Sequence, residues 1–416
     1  MRIWILNHYA SPPDRPAGTR HYELGRVLAS QGHDITIFAS SFCHFSRQEE
    51  RLEPGERIRV EFIDGVRFVW IRTTPYSGND HRRARNMMSY TLGVVLANRR
   101  FERPDVIVGS SVHLAAVAAA FLIGQVRRVP FVFEVRDMWP QALIDMGALR
   151  EGSAIAKLLT RLERFLYRRA RMVITLLPKA AQYIEQCGIP GNKVAYVPNG
   201  IADYGSHNIY PASGDTKALM AWIRMRREAG CLIAGYVGSH GPVNGIDVLV
   251  DAARELRDRG EEHIAFIFIG DGPEKERCEQ LARDYHLANV LFWHPVPKRA
   301  VPAMLQALDV MLFCLRDIPV FKYGLSSNKL FDYLASGRPI IAACAVADNP
   351  VSASGGGICV PPESPGAVGE ALLKLAALDD ASRRAIGERG TRWVYQNHGT
   401  TDLAERYLAA LTKARR

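Results

Sequence analysis

One unit recurs along this chain and restricts its fold more than any other feature. It is an apolar strand, a glycine-bearing loop, an amphipathic helix and another apolar strand. It first reads Ile3–Asn7, the loop Ser11–Arg20 with Gly18, a helix over His21–Gln31 and the strand Ile35–Ala39. In the helix, Leu24, Val27 and Leu28 share one face. Strands joined through a helix run parallel with a right-handed crossover, so the unit predicts a sheet covered by helices. The arrangement returns at Cys231–Val237, the loop Gly238-Ser239-His240-Gly241 and a helix over Ile246–Arg259. Ile264–Ile269, Gly270-Asp271-Gly272-Pro273 and a helix to about His286 repeat it once more. Two α/β domains are predicted, which 416 residues accommodate, with polar Tyr204–Asp215 as the linker. Ligands of open α/β sheets bind at the carboxyl ends of the strands, where the Gly18 loop falls.

A second stretch, Gly324 to Pro339, reads as a loop, a helix and the entry to a strand. Ser326 or Ser327 can cap the helix. Gly337 suits the left-handed residue after its end, and Pro339 prevents continuation. Leu330, Phe331 and Leu334 form an apolar stripe, while Asn328, Lys329 and Asp332 fall on another face. Amides at a helix start attract anions, and a carboxylate one turn in can grip two ribose hydroxyls. An ordinary capped helix with a Lys329–Asp332 surface pair reads equally well.

Three further segments carry charge in informative places. The strand Pro130–Val135 runs into Arg136, Asp137, Met138, Trp139 and Pro140. Glu134, Arg136 and Asp137 either point at a ligand or form a buried ion pair that anchors the loop. Pro75–Arg103 carries Arg82, Arg83, Arg85, Arg99, Arg100 and Arg103, interleaved with Met87, Met88, Tyr90 and Leu92. Such a face meets an anionic membrane, or is solvated while its apolar residues pack inward. In the helix Ser153–Ala170, Leu158, Leu159, Leu162, Phe165 and Leu166 are expected toward the core, with arginines on another face.

Charge balance is 53 − 43 = +10, which suits phosphorylated ligands, anionic membranes or nucleic acid. Seven scattered cysteines without C-x-x-C point to a reducing cytoplasm rather than a disulfide or zinc framework. The start reads as a strand and not a signal peptide. Val106–Val126 lacks Asp, Glu, Lys and Arg, but Gly109, Ser110, Ser111 and His113 make it a strand, turn and helix rather than a membrane span. No H-E-x-x-H, EF-hand loop, Asp-x-Asp or G-x-S-x-G occurs.

These segments, in this order, resemble the retaining family-4 glycosyltransferases. The helix at Ser326-Ser-Asn-Lys-Leu-Phe-Asp-Tyr333, Arg136-Asp-x-Trp-Pro140, Val197-Pro-Asn-Gly200, Gly270-Asp-Gly-Pro273 and Gly355-Gly-Gly-Ile-Cys-Val-Pro-Pro362 carry the likeness. The Ser-Ser-Asn-Lys form is similar to bacterial O-antigen and capsule transferases of the fucosaminyl type. The resemblance implies the GT-B fold: α/β, two facing Rossmann-like domains with an interdomain cleft. Expected bounds are 1–204 for the acceptor side, 205–390 for the nucleotide-sugar side and 391–416 for a helix crossing back. It implies retaining transfer of a hexose or amino-hexose from a nucleotide diphosphate sugar, a UDP-sugar foremost. The acceptor would be a carbohydrate or polyprenyl-linked saccharide of bacterial surface polysaccharide assembly. A sugar-nucleotide 2-epimerase of the same fold and a non-catalytic sugar-nucleotide binder are the alternatives.

By this resemblance Arg136, Asp137 and Lys329 are the catalytic candidates. Gly18, Asn199, Gly238, Ser239, His240, Gly270, Asp271, Gly272, Leu325, Ser326, Ser327, Asn328 and Asp332 are the donor-binding ones. Asp332 matches the ribose ligand of the family's paired glutamates, whose first member falls on Gly324. The family's diphosphate Arg and Lys fall on Ser239 and Asn244, so Lys329 is expected to supply the missing charge, with His240 and Arg316 behind it. No metal, cofactor or nucleic acid is expected. An anionic membrane surface is a further expected partner, with the protein cytoplasmic and peripheral to the membrane's inner face.

Overall fold

The computed structural model describes residues 1–14, 18–44, 46–78, 80–201, 214–346 and 348–416. The chain forms two compact units, Met1–Asn199 with Thr400–Arg416, and Gly200–Gly399. Unit 1 contains, in order, β1 (Arg2–Leu6), α1 (Arg20–Ser30), β2 (Asp34–Ser40), β3 (Ile58–Ile63), β4 (Val66–Ile71), α2 (His81–Ala97), β5 (Val106–Ser110), α3 (Leu114–Arg127), β6 (Phe131–Val135), α4 (Gln141–Asp145), α5 (Ala154–Arg169), β7 (Met172–Thr175), α6 (Ala180–Gln186) and β8 (Val194–Tyr196). Unit 2 contains α7 (Gly214–Glu228), β9 (Leu232–Val237), α8 (Ile246–Asp258), β10 (Ile264–Ile269), α9 (Lys275–Asp284), β11 (Val290–Trp293), α10 (Val301–Gln306), β12 (Val310–Cys314), α11 (Asn328–Ala335), β13 (Ile340–Ala343), α12 (Pro350–Ser354), β14 (Gly357–Val360), α13 (Pro365–Ala376) and α14 (Asp380–His398). The last helix, α15 (Thr400–Arg415), belongs to unit 1.

Unit 1 has the strand order β3-β4-β2-β1-β5-β6-β7-β8. It is parallel except for β3, which pairs antiparallel with β4. Unit 2 has the wholly parallel order β11-β10-β9-β12-β13-β14. Both orders reverse direction beside the first strand of the unit, which opens a crevice at the strands' carboxyl ends. Inner strands such as Ile264–Ile269 are apolar at every position and buried throughout, because helices cover both faces. In unit 1, α15 places Leu403, Tyr407 and Leu411 in one core with Leu24 and Leu28 of α1.

The structure departs from the sequence reading in several places. The single helix expected within 391–416 is the end of α14 and the whole of α15, separated at Gly399, whose extended backbone pairs with Ile201. The units divide at Asn199/Gly200 and at Gly399/Thr400. The predicted linker lies outside the described residues, apart from 214 and 215, which begin α7. In α5 the expected inward stripe is wrong at two positions: Leu158 is 64% exposed and Phe165 41%, while Leu166 is buried. Packing of α3 and the sheet selects the Ala156–Glu163–Leu166–Tyr167 side of α5 instead. In α2, Tyr90 is buried and Met88 and Leu92 face solvent.

Candidate functional site

In unit 2, three segments converge on Lys329. Strand β9 ends at Val237 and passes into Gly238-Ser239-His240, α11 starts at Asn328, and a short turn over Pro242–Asn244 precedes α8. Lys329 Nζ donates to Tyr236 Oη (2.6 Å) and to Asn244 Oδ1 (2.7 Å). Tyr236 Oη in turn donates to the Ser239 carbonyl (2.6 Å), and so does Asn244 Nδ2 (2.9 Å). The ammonium lies 4.3 Å from the Tyr236 ring centroid and 5.3 Å from that of Phe313. Among the described residues it has no carboxylate partner. Burial without a counter-ion pushes the Lys329 ammonium down to about 7. Gly238 makes the approach possible, since a Cβ there would stand 3.0 Å from Lys329 Cδ.

Two of the sequence expectations for this helix are corrected. The Lys329–Asp332 surface pair does not form: Asp332 takes Lys298, and Lys329 takes Tyr236 and Asn244. Ser327 stands at the N-cap of α11, but its side chain makes no capping hydrogen bond. The Ser327 side chain therefore leaves the first amides of α11 uncovered, and Asn328 and Lys329 are only half-buried there. Leu325 and Ser326 lead into it, Leu325 within the apolar core. Gly324, where the family has its first glutamate, has φ 101°, a conformation that side-chain-bearing residues avoid.

His240 lies next to this network. Its side chain is fully buried, and neither ring nitrogen has a hydrogen-bond partner among the described residues. Burial, reinforced by Lys275, lowers its pKa to about 4, so the ring is neutral. Gly270 and Gly272 pack against the same loop at φ 152° and 154°. A Cβ on Gly270 would meet the Gly238 carbonyl at 1.9 Å, and one on Gly272 the His240 carbonyl at 2.5 Å. These two glycines let the β9 and β10 exit loops touch, and the Asp271 carbonyl accepts from His240 N (2.8 Å). The Asp271 side chain is exposed. Arg316, the reserve cation, is engaged elsewhere: it holds Asp247 through two bonds (2.6 and 2.5 Å) and Glu363 (3.1 Å).

In unit 1 the charged end of β6 splits into two roles. Glu134 is buried and bound by Arg20 Nε (2.9 Å) and His21 Nε2 (2.5 Å). Burial alone raises its pKa, but His21 and Arg20 outweigh that and hold the carboxyl well below the usual range. Arg20 also donates to the carbonyls of Val197 (2.8 Å) and Pro198 and reaches Asn199 Oδ1 at 3.5 Å. Asn199 is thereby held, and Gly18 stands two residues before Arg20, which opens α1. Arg136 and Asp137 follow with their backbone pinned by Ser111, whose Oγ accepts from Arg136 N (3.0 Å) and donates to the Asp137 carbonyl (3.1 Å). Their side chains form no ion pair or hydrogen bond among the described residues, and Asp137 is exposed. The buried-anchor reading thus holds for Glu134, with Arg20 rather than Arg136 as its partner.

Sequence reasoning missed Lys298, Tyr236 and the two partners of Glu134, Arg20 and His21. No spacing rule joins Lys298 to Asp332 or Tyr236 to Lys329. For Arg20, its place directly before an amphipathic helix was the only signal. Among the described residues no group of three or more His, Cys, Asp or Glu side chains gathers as metal ligands would.

The chain is similar to known glycosyltransferases along most of its length. Residues 17–200 match the family described as glycosyl transferase 4-like domain, and residues 232–377 match glycosyl transferases group 1. The chain is 24% identical over 379 residues to Escherichia coli (strain K12) WcaI, whose name assigns it as a glycosyl transferase of colanic acid biosynthesis. That match covers 88% of this chain and 89% of WcaI. Among solved structures, sucrose-phosphate synthase from Thermosynechococcus elongatus superposes with a TM-score of 0.73 at 18% identity, covering 98% of this chain and 97% of that one. Anabaena HepE in complex with UDP-glucose superposes at 0.66 with 14% identity, covering 99% of each chain. With a glycosyl transferase 4-like half followed by a group 1 half on two Rossmann-like sheets, this chain belongs to the family-4 glycosyltransferases of the GT-B fold.

Proposed function

We propose that this glycosyltransferase moves a hexose or amino-hexose from a UDP-sugar to a carbohydrate or polyprenyl-linked acceptor in bacterial surface polysaccharide assembly, with retention at the anomeric carbon. The observation that carries this reading is the Lys329 ammonium, held by two neutral oxygens and no carboxylate among the described residues, in the first turn of α11. A diphosphate supplies the counter-ion that this lysine lacks. Lys329 and the α11 amides neutralise charge as the sugar–phosphate bond breaks, without a divalent metal. His240 offers a neutral N–H to a phosphate oxygen, and Asp332 accepts from the ribose hydroxyls. Arg136 and Asp137, with their side chains free, position the sugar and the acceptor. The acceptor hydroxyl attacks from the face that the diphosphate leaves, and its proton passes to the departing phosphate oxygen.

UDP-glucose in the related HepE complex and the polysaccharide role in the name of WcaI support the donor and pathway class. All seven cysteines are free thiols, which fits work in a reducing cytoplasm, and no helix of the described residues is long and apolar enough to cross a membrane. The test is a panel of UDP-sugars with and without polyprenyl-linked saccharides and without metal, followed by mass spectrometry. Acceptor-dependent release of UDP with an α-configured product from an α-donor is expected. Acceptor-free isomerisation of the sugar makes the protein an epimerase, and binding without turnover makes it a sugar-nucleotide binder.

A further inference from the structure

Strand β3 closes one edge of the unit 1 sheet, and among the described residues β4 is its only strand partner. An edge strand offers unpaired amides and carbonyls to any strand that meets it, and proteins usually blunt it by shortness, lysine, proline or a bulge. The other edge strands of the two sheets are short: β8 has three residues, and β11 and β14 have four each. Strand β3 has six, Ile58-Arg-Val-Glu-Phe-Ile63, with neither lysine nor proline. Its register with β4 runs without a bulge from Ile58↔Ile71 to Ile63↔Val66.

The pairing with β4 fixes which backbone groups point outward. Arg72 N donates to the Arg57 carbonyl (3.0 Å). Antiparallel bonds recur at every second residue, so Arg59, Glu61 and Ile63 turn their backbone groups to β4. Ile58, Val60 and Phe62 turn theirs away from the sheet. The side chains of these three share one face, on which Val60 is 44% and Phe62 66% exposed. Arg59 and Glu61 share the opposite face and are half-buried there, Arg59 Nε on Glu56 Oε1 (3.0 Å) and Glu61 Oε2 on Trp70 Nε1 (2.8 Å).

This edge is complementary to itself. A second copy laid antiparallel about a two-fold axis at Val60 sets Val60 against Val60 and Ile58 against Phe62 of the second copy. Every outward amide and carbonyl of Ile58, Val60 and Phe62 then finds a partner. On the other face Arg59 meets Glu61 of the second copy, twice over by symmetry, and opposite charges facing across strands stabilise the pair. Moving the axis to Arg59 or to Glu61 would set like charge on like. We propose that the chain forms a two-fold dimer through β3, with the axis at Val60 and the two unit 1 sheets joined edge to edge.

The experiment follows the full chain by sedimentation velocity over about a hundredfold range of concentration. The wild type should pass from monomer to dimer and no further, because a two-fold pairing uses up the edge. V60P keeps the bonds to β4, since the Val60 amide points outward, and removes the amide at the axis. R59E and E61R each set like charge on like across the axis. Each of the three should weaken the dimer by about tenfold or more, with thermal melting as the check that they fold. Mixed in equal amounts, R59E and E61R should recover a dimer, because one copy then carries acids at both positions and the other arginines. A wild type that stays monomeric overturns the proposal, as do species that grow beyond the dimer with concentration. A dimer that the folded variants leave intact lies elsewhere on the molecule and overturns it too. Failure of the mixed charge variants to recover places the axis away from Val60 and overturns it equally, and that arm decides alone if V60P does not fold.

Discussion

Glu134 in unit 1 and Lys329 in unit 2 are charged groups that the fold treats in opposite ways. Glu134 is enclosed in unit 1 with a guanidinium and an imidazole on its two oxygens. Lys329 in unit 2 has a phenol and a carboxamide, neither of which carries charge. A buried charge with full partners is part of the scaffold, and its removal strands those partners. A charge held only by neutral dipoles remains available to an anion that arrives later, and its lowered pKa records the cost of waiting. The same contrast separates Arg316, tied to Asp247 and Glu363, from Arg136, whose side chain is unpaired among the described residues.

The largest effect expected from breaking this contrast is on stability. Glu134→Ala strands Arg20 and His21 and should destabilise unit 1 by about 3–5 kcal/mol, read by denaturant unfolding. A loss under about 1 kcal/mol would show that the group is not scaffold. Lys329→Met should behave in reverse. Exchanging an unpaired, half-buried ammonium for an apolar chain should leave the melting temperature unchanged or higher. Turnover at saturating donor should fall by about a hundredfold to a thousandfold. Normal turnover in the folded variant would remove Lys329 from the reaction.

Asp332 tests the same idea one turn along α11. Its Lys298 partner makes it look like scaffold, yet the ribose reading makes it a ligand group. Asp332→Ala should weaken UDP binding by about 1.5–3 kcal/mol, a tenfold to hundredfold effect by calorimetry. An unchanged affinity with a lower melting temperature would make the Lys298 pair purely structural.

The smallest effect sharpens the comparison through pH. In the free protein Lys329 loses its proton as pH rises through about 7, and a bound diphosphate favours the protonated form. UDP-glucose binding at pH 8 should therefore take up a proton, and affinity should fall by up to about tenfold per pH unit above 7. Calorimetry in buffers of different ionisation enthalpy measures the uptake, which Lys329→Met should abolish.

Much of this molecule was legible in its sequence, because the decisive signals are local. Apolar runs such as Ile264–Ile269, the glycine turns at Gly238 and Gly270 and the Gly337–Pro339 stop follow from backbone freedom and side-chain period, and the strands and helices they bound formed within a few residues of expectation. The position of Lys329 in the first turn of α11 was legible for the same reason.

What lay beyond the sequence were choices between equally good local answers. Helix α5 offers apolar residues on two sides, and only packing against α3 and the sheet decided that Leu166 goes in and Leu158 stays out. Lys329 and Asp332 are neighbours in sequence and could have paired at helical spacing. Tertiary structure instead brought Tyr236 and Asn244 to the lysine from 93 and 85 residues away, and Lys298 to the aspartate from 34. A hydrogen bond is set by positions within a few tenths of an ångström. Those positions come from the way the sheet stacks strand ends that the sequence holds far apart, and that is why the residue types for the site stood in the sequence while their partners were settled only by the fold.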